Sequence, residues 1–137
     1  MKYLLDTNTC IRYINGRSQR VADKLNALNE GDAVVCSVVK AELFFGALHS
    51  QNPEKTMAGQ RQFLGLFISL PFDDTAAEHY GQIRADLTTR GTPDGGNDLL
   101  IAAVALANDL TLVTHNTNEF MRIVGLKIED WEAGDEP

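Results

Sequence analysis

Cysteine is scarce in this chain. Cys10 and Cys36 are too few and too isolated for a zinc site or a disulfide framework, so two buried thiols are expected. Long apolar runs are missing as well, since no stretch approaches the roughly 20 residues that a membrane span requires. After Met1-Lys2-Tyr3-Leu4-Leu5 comes Asp6, an acid where a secretory signal would need continued apolar residues. The expectation is a cytoplasmic protein. Basic residues are also in short supply, 12 against 19 acidic ones, for a net charge of −7. Residues 129 to 137 carry five acids and no base, which leaves about −2 for the body of the chain. An acidic protein binds nucleic acid poorly without regard to sequence, so any RNA contact has to use a local patch. Repeats, low-complexity tracts and interior linkers are absent too. What remains is 137 residues, 44% hydrophobic, enough to bury one core. The expected organisation is a single domain over residues 1–132 and an acidic, disordered tail over 133–137.

Short apolar strands alternate with helical patterns along the chain, which indicates an α/β fold with a mainly parallel sheet. Its organising stretch runs from Gly95 to Asn116. Leu99 to Ala107 is apolar on every face, so it reads as a buried helix, with Asn97 as its N-cap and Gly95-Gly96 turning the chain into it. Leu110 to Val113 then reads as a buried strand. A strand runs antiparallel to the helix before it, so Asp98 and the segment Thr114 to Asn116 reach the same edge of the molecule. Upstream, Tyr3 to Leu5 and Ala33 to Cys36 read as strands and Ser69 to Phe72 leaves room for another. Ser37 is expected to cap the helix Val38 to His49, and Thr75-Ala76-Ala77-Glu78 reads as a capping box. Met57, Leu64, Phe67 and Ile68 should face inward, as should Ala76, His79, Tyr80, Ile83 and Leu87. A short helix near Asn118 to Arg122 and a last strand near Leu126 to Ile128 complete the pattern.

Ligand sites of parallel sheets sit at the carboxyl edge of the strands. Asp6 ends the first strand, Glu42 lies one turn into the helix after the second, and Asp98 and Asn116 reach the same edge. Asp6 and Asp98 each have a plain alternative as helix-terminal acids. Glu42 is harder to explain that way, because its helical neighbours Val38, Val39 and Phe45 are apolar and no capping box needs it. Buried acids without a basic partner require either a cation or a raised pKa. All-oxygen ligation suits Mg²⁺ or Mn²⁺, and a metal among carboxylates serves phosphodiester hydrolysis by polarising phosphate and activating water. His49, His79 and His115 fall on different elements, which weighs against a histidine-based mechanism. Arg12, Arg17, Lys40, Arg84 and Arg90 are the bases expected near the edge, with a place on a solvated face as the equal alternative for each.

Four ordered motifs carry a resemblance that covers nearly the whole chain. They are Leu4-Leu5-Asp6-Thr7-Asn8, Ser37-Val38-Val39-Lys40-Ala41-Glu42-Leu43, Asn97-Asp98-Leu99-Leu100-Ile101-Ala102-Ala103 and Thr114-His115-Asn116-Thr117-Asn118-Glu119-Phe120. The sequence resembles the PIN-domain ribonucleases, and among them the VapC toxins of bacterial toxin–antitoxin pairs. The resemblance implies a three-layer α/β/α fold and a Mg²⁺- (or Mn²⁺-) dependent endoribonuclease acting on structured RNA such as tRNA or rRNA. It implies Asp6, Glu42 and Asp98 as catalytic, metal-binding acids, supported by Thr7, Asn8, Thr114, Asn116 and Glu119. It further implies a homodimer, neutralised by a VapB-like antitoxin through which alone it reaches operator DNA. The chain departs from the pattern twice. Asn116 stands where many PIN domains have an acid, with Glu119 as an alternative fourth carboxylate, and Asp94 stands where an apolar residue usually follows proline. Two rivals follow: a catalytically weakened PIN-like module that binds RNA or a partner, and a phosphotransfer domain with Asp6 as acceptor.

Overall fold

In the computed structural model the described residues are 1–92 and 95–133. Asp94 and the tail beyond Ala133 therefore lie outside them. The elements run β1 (Tyr3–Leu5), α1 (Thr7–Ile14), α2 (Gln19–Asn26), β2 (Ala33–Cys36), α3 (Ser37–Leu48) and α4 (Pro53–Leu64). They continue with β3 (Ser69–Leu70), α5 (Asp74–Thr89), α6 (Asn97–Ala107), β4 (Thr111–Val113), α7 (Thr117–Phe120) and β5 (Ile128–Glu129). The five strands form one sheet in the order β3-β2-β1-β4-β5, and every pairing is parallel. Helices flank it, which gives the layered α/β architecture expected from the sequence.

Parallel strands covered on both faces have to be apolar throughout rather than alternating. Leu4, Leu5, Val34, Val35, Leu112 and Val113 meet that demand and are buried. Register places Leu4 beside both Val34 and Leu112, so β1 is the middle of the sheet. The chain leaves β1 toward β2 and β3, then returns to its other side for β4 and β5. That reversal opens a crevice at the carboxyl ends of β1 and β4, where ligands of open α/β sheets bind.

Helix α6 is buried as its composition demands. Ala102, Ala103 and Ala105 have no exposed surface, and their small side chains let the helix lie close against its neighbours, among them α5. Both cysteines are buried free thiols. Trp131 packs its ring edge-on against Tyr3 at 5.3 Å between centroids, so the segment after β5 closes over the start of β1.

Several local expectations need correction. Helix α1 begins at Thr7 rather than near Thr9, because Asp6 caps it. Helix α3 is capped by Cys36, since the Ser37 hydroxyl donates instead to the Leu70 carbonyl of the neighbouring strand at 3.4 Å. Asp73, whose carboxylate accepts from the Ala76 N–H at 2.9 Å, caps α5, so Thr75 sits inside the helix and no capping box forms around it. Ile68 is exposed and His79 only half-buried. Phe45 and Leu48 of α3 face outward at 65% and 64% exposure, so the surroundings of Glu42 are less crowded than periodicity suggests. The last strand falls at Ile128–Glu129 and the short helix at Thr117–Phe120.

The close fit around α6 has a measurable consequence. Ala103→Leu forces extra methylenes into a filled layer and should destabilise the protein by about 1–3 kcal/mol in urea titrations. An unchanged midpoint would show that the layer is looser than the burial of Ala103 indicates.

Candidate active site

Asp6 leaves β1 buried at 5% exposure, pinned between the two central strands. Its backbone N–H donates to the Val113 carbonyl at 3.1 Å. Its Oδ1 accepts from the Thr9 N–H at 2.8 Å, which makes it the cap of α1, and the Thr114 hydroxyl also bonds its carboxylate. Burial raises the pKa of this acid, the bonds from Thr114 and Thr9 oppose the rise, and the charge of Glu42 adds to it. Capping and site membership are thus two uses of one carboxylate.

Glu42, in the second turn of α3, joins three elements. Its Oε1 accepts from the Thr7 hydroxyl at 2.5 Å and its Oε2 from the Asn97 side-chain amide at 3.4 Å. Asn97 is therefore not the cap of α6. Gly96, in the left-handed region at φ +59°, occupies that position, and the Asn97 side chain is released toward Glu42. No local pattern signals this, because an Asn before an apolar helix reads most simply as a cap.

Asp98 lies in the first turn of α6. Its pKa is raised from 3.8 to about 6, by desolvation first and then by the charges of Glu42, Asp6 and Glu119, with Arg122 working the other way. The structure thus brings Asp6, Glu42 and Asp98 within electrostatic reach of one another. It adds Glu119, which is exposed and paired with Arg122 at 2.9 Å. Asn116 is exposed at the cap position of α7 without capping it, and its N–H donates to the Thr114 hydroxyl at 3.0 Å. Asn8 is exposed on α1, beside Thr7. Of the two candidates for a fourth acid position, Glu119 is the one whose charge reaches Asp98.

Arg122 is the residue that sequence reading misses. Its guanidinium also donates from Nε to the Glu119 carbonyl at 2.8 Å. It lies so near Gly95 that a Cβ there would stand 3.4 Å from its Nη2 and 3.2 Å from the Asp98 Cβ. The available signal is its place two residues beyond the last motif. Arg84 instead lies over the Tyr80 ring, and Arg90 pairs with Asp86. His49 stacks near Phe45, His79 is on α5 and His115 bonds Asp130, so the three histidines are on separate elements.

A family model described as the PIN domain matches residues 3–126. The chain belongs to the PIN-domain family. It is similar to the tRNA(fMet)-specific endonuclease VapC of Shigella flexneri, 43% identical over 96% of this chain and 98% of that protein. Among solved structures, it is similar to the DNA-bound VapBC of Salmonella typhimurium, with a TM-score of 0.90, 41% identity and coverage of 96% and 98% of the two chains. VapBC2 of Rickettsia felis, bound to a DNA fragment from its promoter, superimposes with a TM-score of 0.89 at 36% identity, covering 96% and 99%. PIN-domain nucleases are generally dependent on a divalent metal.

The residues of this PIN-domain site fit such an ion. Oxygen is the donor element throughout, and the raised pKa of Asp98 registers burial first and then like charges, both of which a cation would offset. Among the described residues no three acids, histidines or cysteines already close into a cage. A hard divalent ion that keeps several waters does not need a closed cage of protein ligands.

The raised pKa sets the sign of a pH effect. The native state holds the Asp98 proton more tightly than the unfolded chain, so wild-type stability is lost as pH rises from about 4 through about 6. Solvent around this half-buried carboxylate limits the effect to about 1–2 kcal/mol. Asp98→Asn should match wild type near pH 4 in EDTA and exceed it by that amount at pH 7.5. Urea melts across the range check it, and a constant difference at all pH values would assign Asp98 an ordinary helix-end role.

Proposed function

We propose that this protein is a metal-dependent endoribonuclease of the VapC type, cleaving structured RNA and neutralised by a small antitoxin. The observation that carries the reading is the meeting of Asp6, Glu42 and Asp98 at the sheet's switch point, on a chain of which 96% matches a VapC relative. In this reading the three acids hold Mg²⁺ or Mn²⁺, and residues 1–132 form the catalytic domain. When bound, the metal supplies Lewis-acid stabilisation of the phosphate and an activated water.

The protein's own groups have definite tasks. Asp6 is fixed by Thr9 and Thr114, so its free lone pairs point from a rigid base. Thr7 and Asn97 orient the Glu42 carboxylate, which is the usual work of groups behind a metal ligand. Asp98, hard to ionise without a cation, couples metal uptake to proton release. Glu119 adds negative charge at the rim, and Arg122 limits it. Among the described residues no Ser or Cys is paired with a His near these acids, which supports water attack without a covalent intermediate.

The Shigella relative is named as specific for tRNA(fMet), which supports a tRNA as substrate here. The Salmonella and Rickettsia structures are toxin–antitoxin complexes on DNA, which supports a VapB-like partner and operator binding through that partner. A basic side chain from the antitoxin suits an acidic site. The outward Phe45 and Leu48 support a homodimer. No described helix is long and apolar enough to cross a membrane, and a cytoplasmic site of action suits a tRNA substrate. The reading of a catalytically weakened module rests on Asn116 and on Asp94, which lies outside the described residues; for Asn116, the charge of Glu119 reaching Asp98 speaks against it.

Cleavage of tRNA by the purified protein should require Mg²⁺ or Mn²⁺ and stop in EDTA. Asp6→Ala, Glu42→Ala and Asp98→Ala should each abolish it, whereas Thr7→Val, which keeps every ligand, should lose about 10–100-fold. Wild-type cleavage by Glu42→Ala would overturn the site assignment. In cells, expression of the protein alone should arrest growth, and co-expression of the antitoxin should restore it. Harmless expression of folded, metal-loaded protein would overturn the toxin reading.

A further inference from the structure

A second surface begins where the acidic site ends. Asn8 and Arg12 of α1 and Asn15 at its C-terminal cap position are exposed, at the helical spacing that stacks side chains in a row. They line a groove of about 480 Å³ together with Arg17, His115 and Asn116. Its near end is continuous with the site. Asn8 follows Thr7, the donor to Glu42, and the Asn116 N–H rests on the Thr114 hydroxyl that also bonds Asp6. From Asn8 to Asn15 the row extends about 10 Å along the helix.

Glu132 also lines the groove and is matched by Arg12, so among the described residues Arg17 is the unmatched cation that sets this groove apart from the acidic site beside it. Glu132 is buried at 8% exposure and holds the Nε of Arg12 at 3.1 Å. His115 is held through Nδ1 by Asp130 at 3.0 Å. The Glu132 N–H in turn donates to Asp130 at 2.9 Å, so one short segment after β5 positions both groups. Arg17 is exposed, and among the described residues its side chain has no ion-pair partner. Cations and amide groups are thus presented along a line that leads away from a cluster of carboxylates.

We infer that this groove binds the single-stranded RNA segment flanking the scissile phosphate. Arg12 and Arg17 take its phosphates, while Asn8, Asn15 and the His115 ring meet its bases. This assignment rests on the ribonuclease reading and extends it to substrate grip. A protein of net negative charge can hold a polyanion only at such a local patch. An RNA chain that places one phosphate at the acids must also pass its neighbours over nearby surface, and cations on that surface offset the repulsion. Exposed amides and an imidazole suit the accessible edges and faces of unpaired bases. A basic antitoxin segment finds its complement in the acids, not among these arginines.

The test is fluorescence anisotropy of the full chain with a labelled single-stranded oligoribonucleotide in EDTA, where no cleavage occurs, over a series of salt concentrations. Arg17→Glu and Arg12→Gln should each weaken binding about tenfold and flatten the log–log salt slope by about 0.7 for every phosphate no longer neutralised. Lys2→Glu, the same charge reversal as Arg17→Glu at the opposite edge of the sheet, should change affinity less than about twofold. Unaltered affinity and slope in Arg17→Glu would overturn the assignment, as would an equal loss in Lys2→Glu. Antitoxin capture weakened by Arg17→Glu with RNA affinity intact would give the groove to the protein partner instead. Thermal melts check that Arg12→Gln stays folded, and the surface position Arg17 decides alone if it does not. Cleavage by wild type with Mn²⁺ is scored separately. Its absence sinks the ribonuclease reading, while its presence with unchanged RNA affinity in Arg17→Glu sinks only the groove.

Discussion

The carboxylates of Asp6, Glu42 and Asp98 repel one another, and the fold holds them together regardless. At an effective dielectric of about 20, two unit charges ~5 Å apart cost about 3 kcal/mol before screening. The scaffold that withstands this is the apolar part of the structure, namely the buried strands β1 and β4 and the helix α6 behind them. Neutral donors do the finer work. Thr7, Thr9, Thr114 and Asn97 each direct a hydrogen bond at one of the acids, stabilising its charged form without cancelling it. A lysine or arginine in those places would neutralise the site and leave nothing for a cation to bind.

The same local groups serve chain geometry and chemistry together. Asp6 satisfies an orphan N–H of α1 with one oxygen and keeps its other lone pairs for the site. At α6 the choice went the other way. Asn97 gives up the cap to reach Glu42, and the turn before it is left to Gly96, which tolerates a positive φ. The helix start is weakened so that two distant elements can share a contact.

Much of this is legible in the sequence, for definite reasons. Unbroken apolar strands report a sheet covered on both faces, and the wholly apolar stretch after Asp98 reports a buried helix. Once strands and helices alternate, chain direction alone sends Asp6, Glu42, Asp98 and Thr114 to one edge. The departures share a cause as well. Ser37, Thr75 and Asn97 read as caps or capping-box residues because isolated propensity favours that use, while each sits inside its helix. For Ser37 and Asn97 the competing bond is tertiary and invisible to local pattern. Phe45 and Ile68 read as crowded or inward because apolar character does not say which way a residue faces. Arg122 escapes notice because its importance lies in proximity to Gly95 and Asp98, across a loop, rather than in any motif.

The place of β1 in the sheet bears on the life of the chain during synthesis. This first strand lies in the centre, and its partner β4 is roughly a hundred residues downstream. Asp6 cannot be seated against Val113 and Thr114 until that later segment has left the ribosome, and Trp131 closes on Tyr3 only after it. Such non-local pairing is slow to form and leaves the nascent chain incompetent until β4 and Trp131 have emerged. For an enzyme whose proposed substrate takes part in translation, the topology itself delays activity until the ribosome making it has moved well past β4.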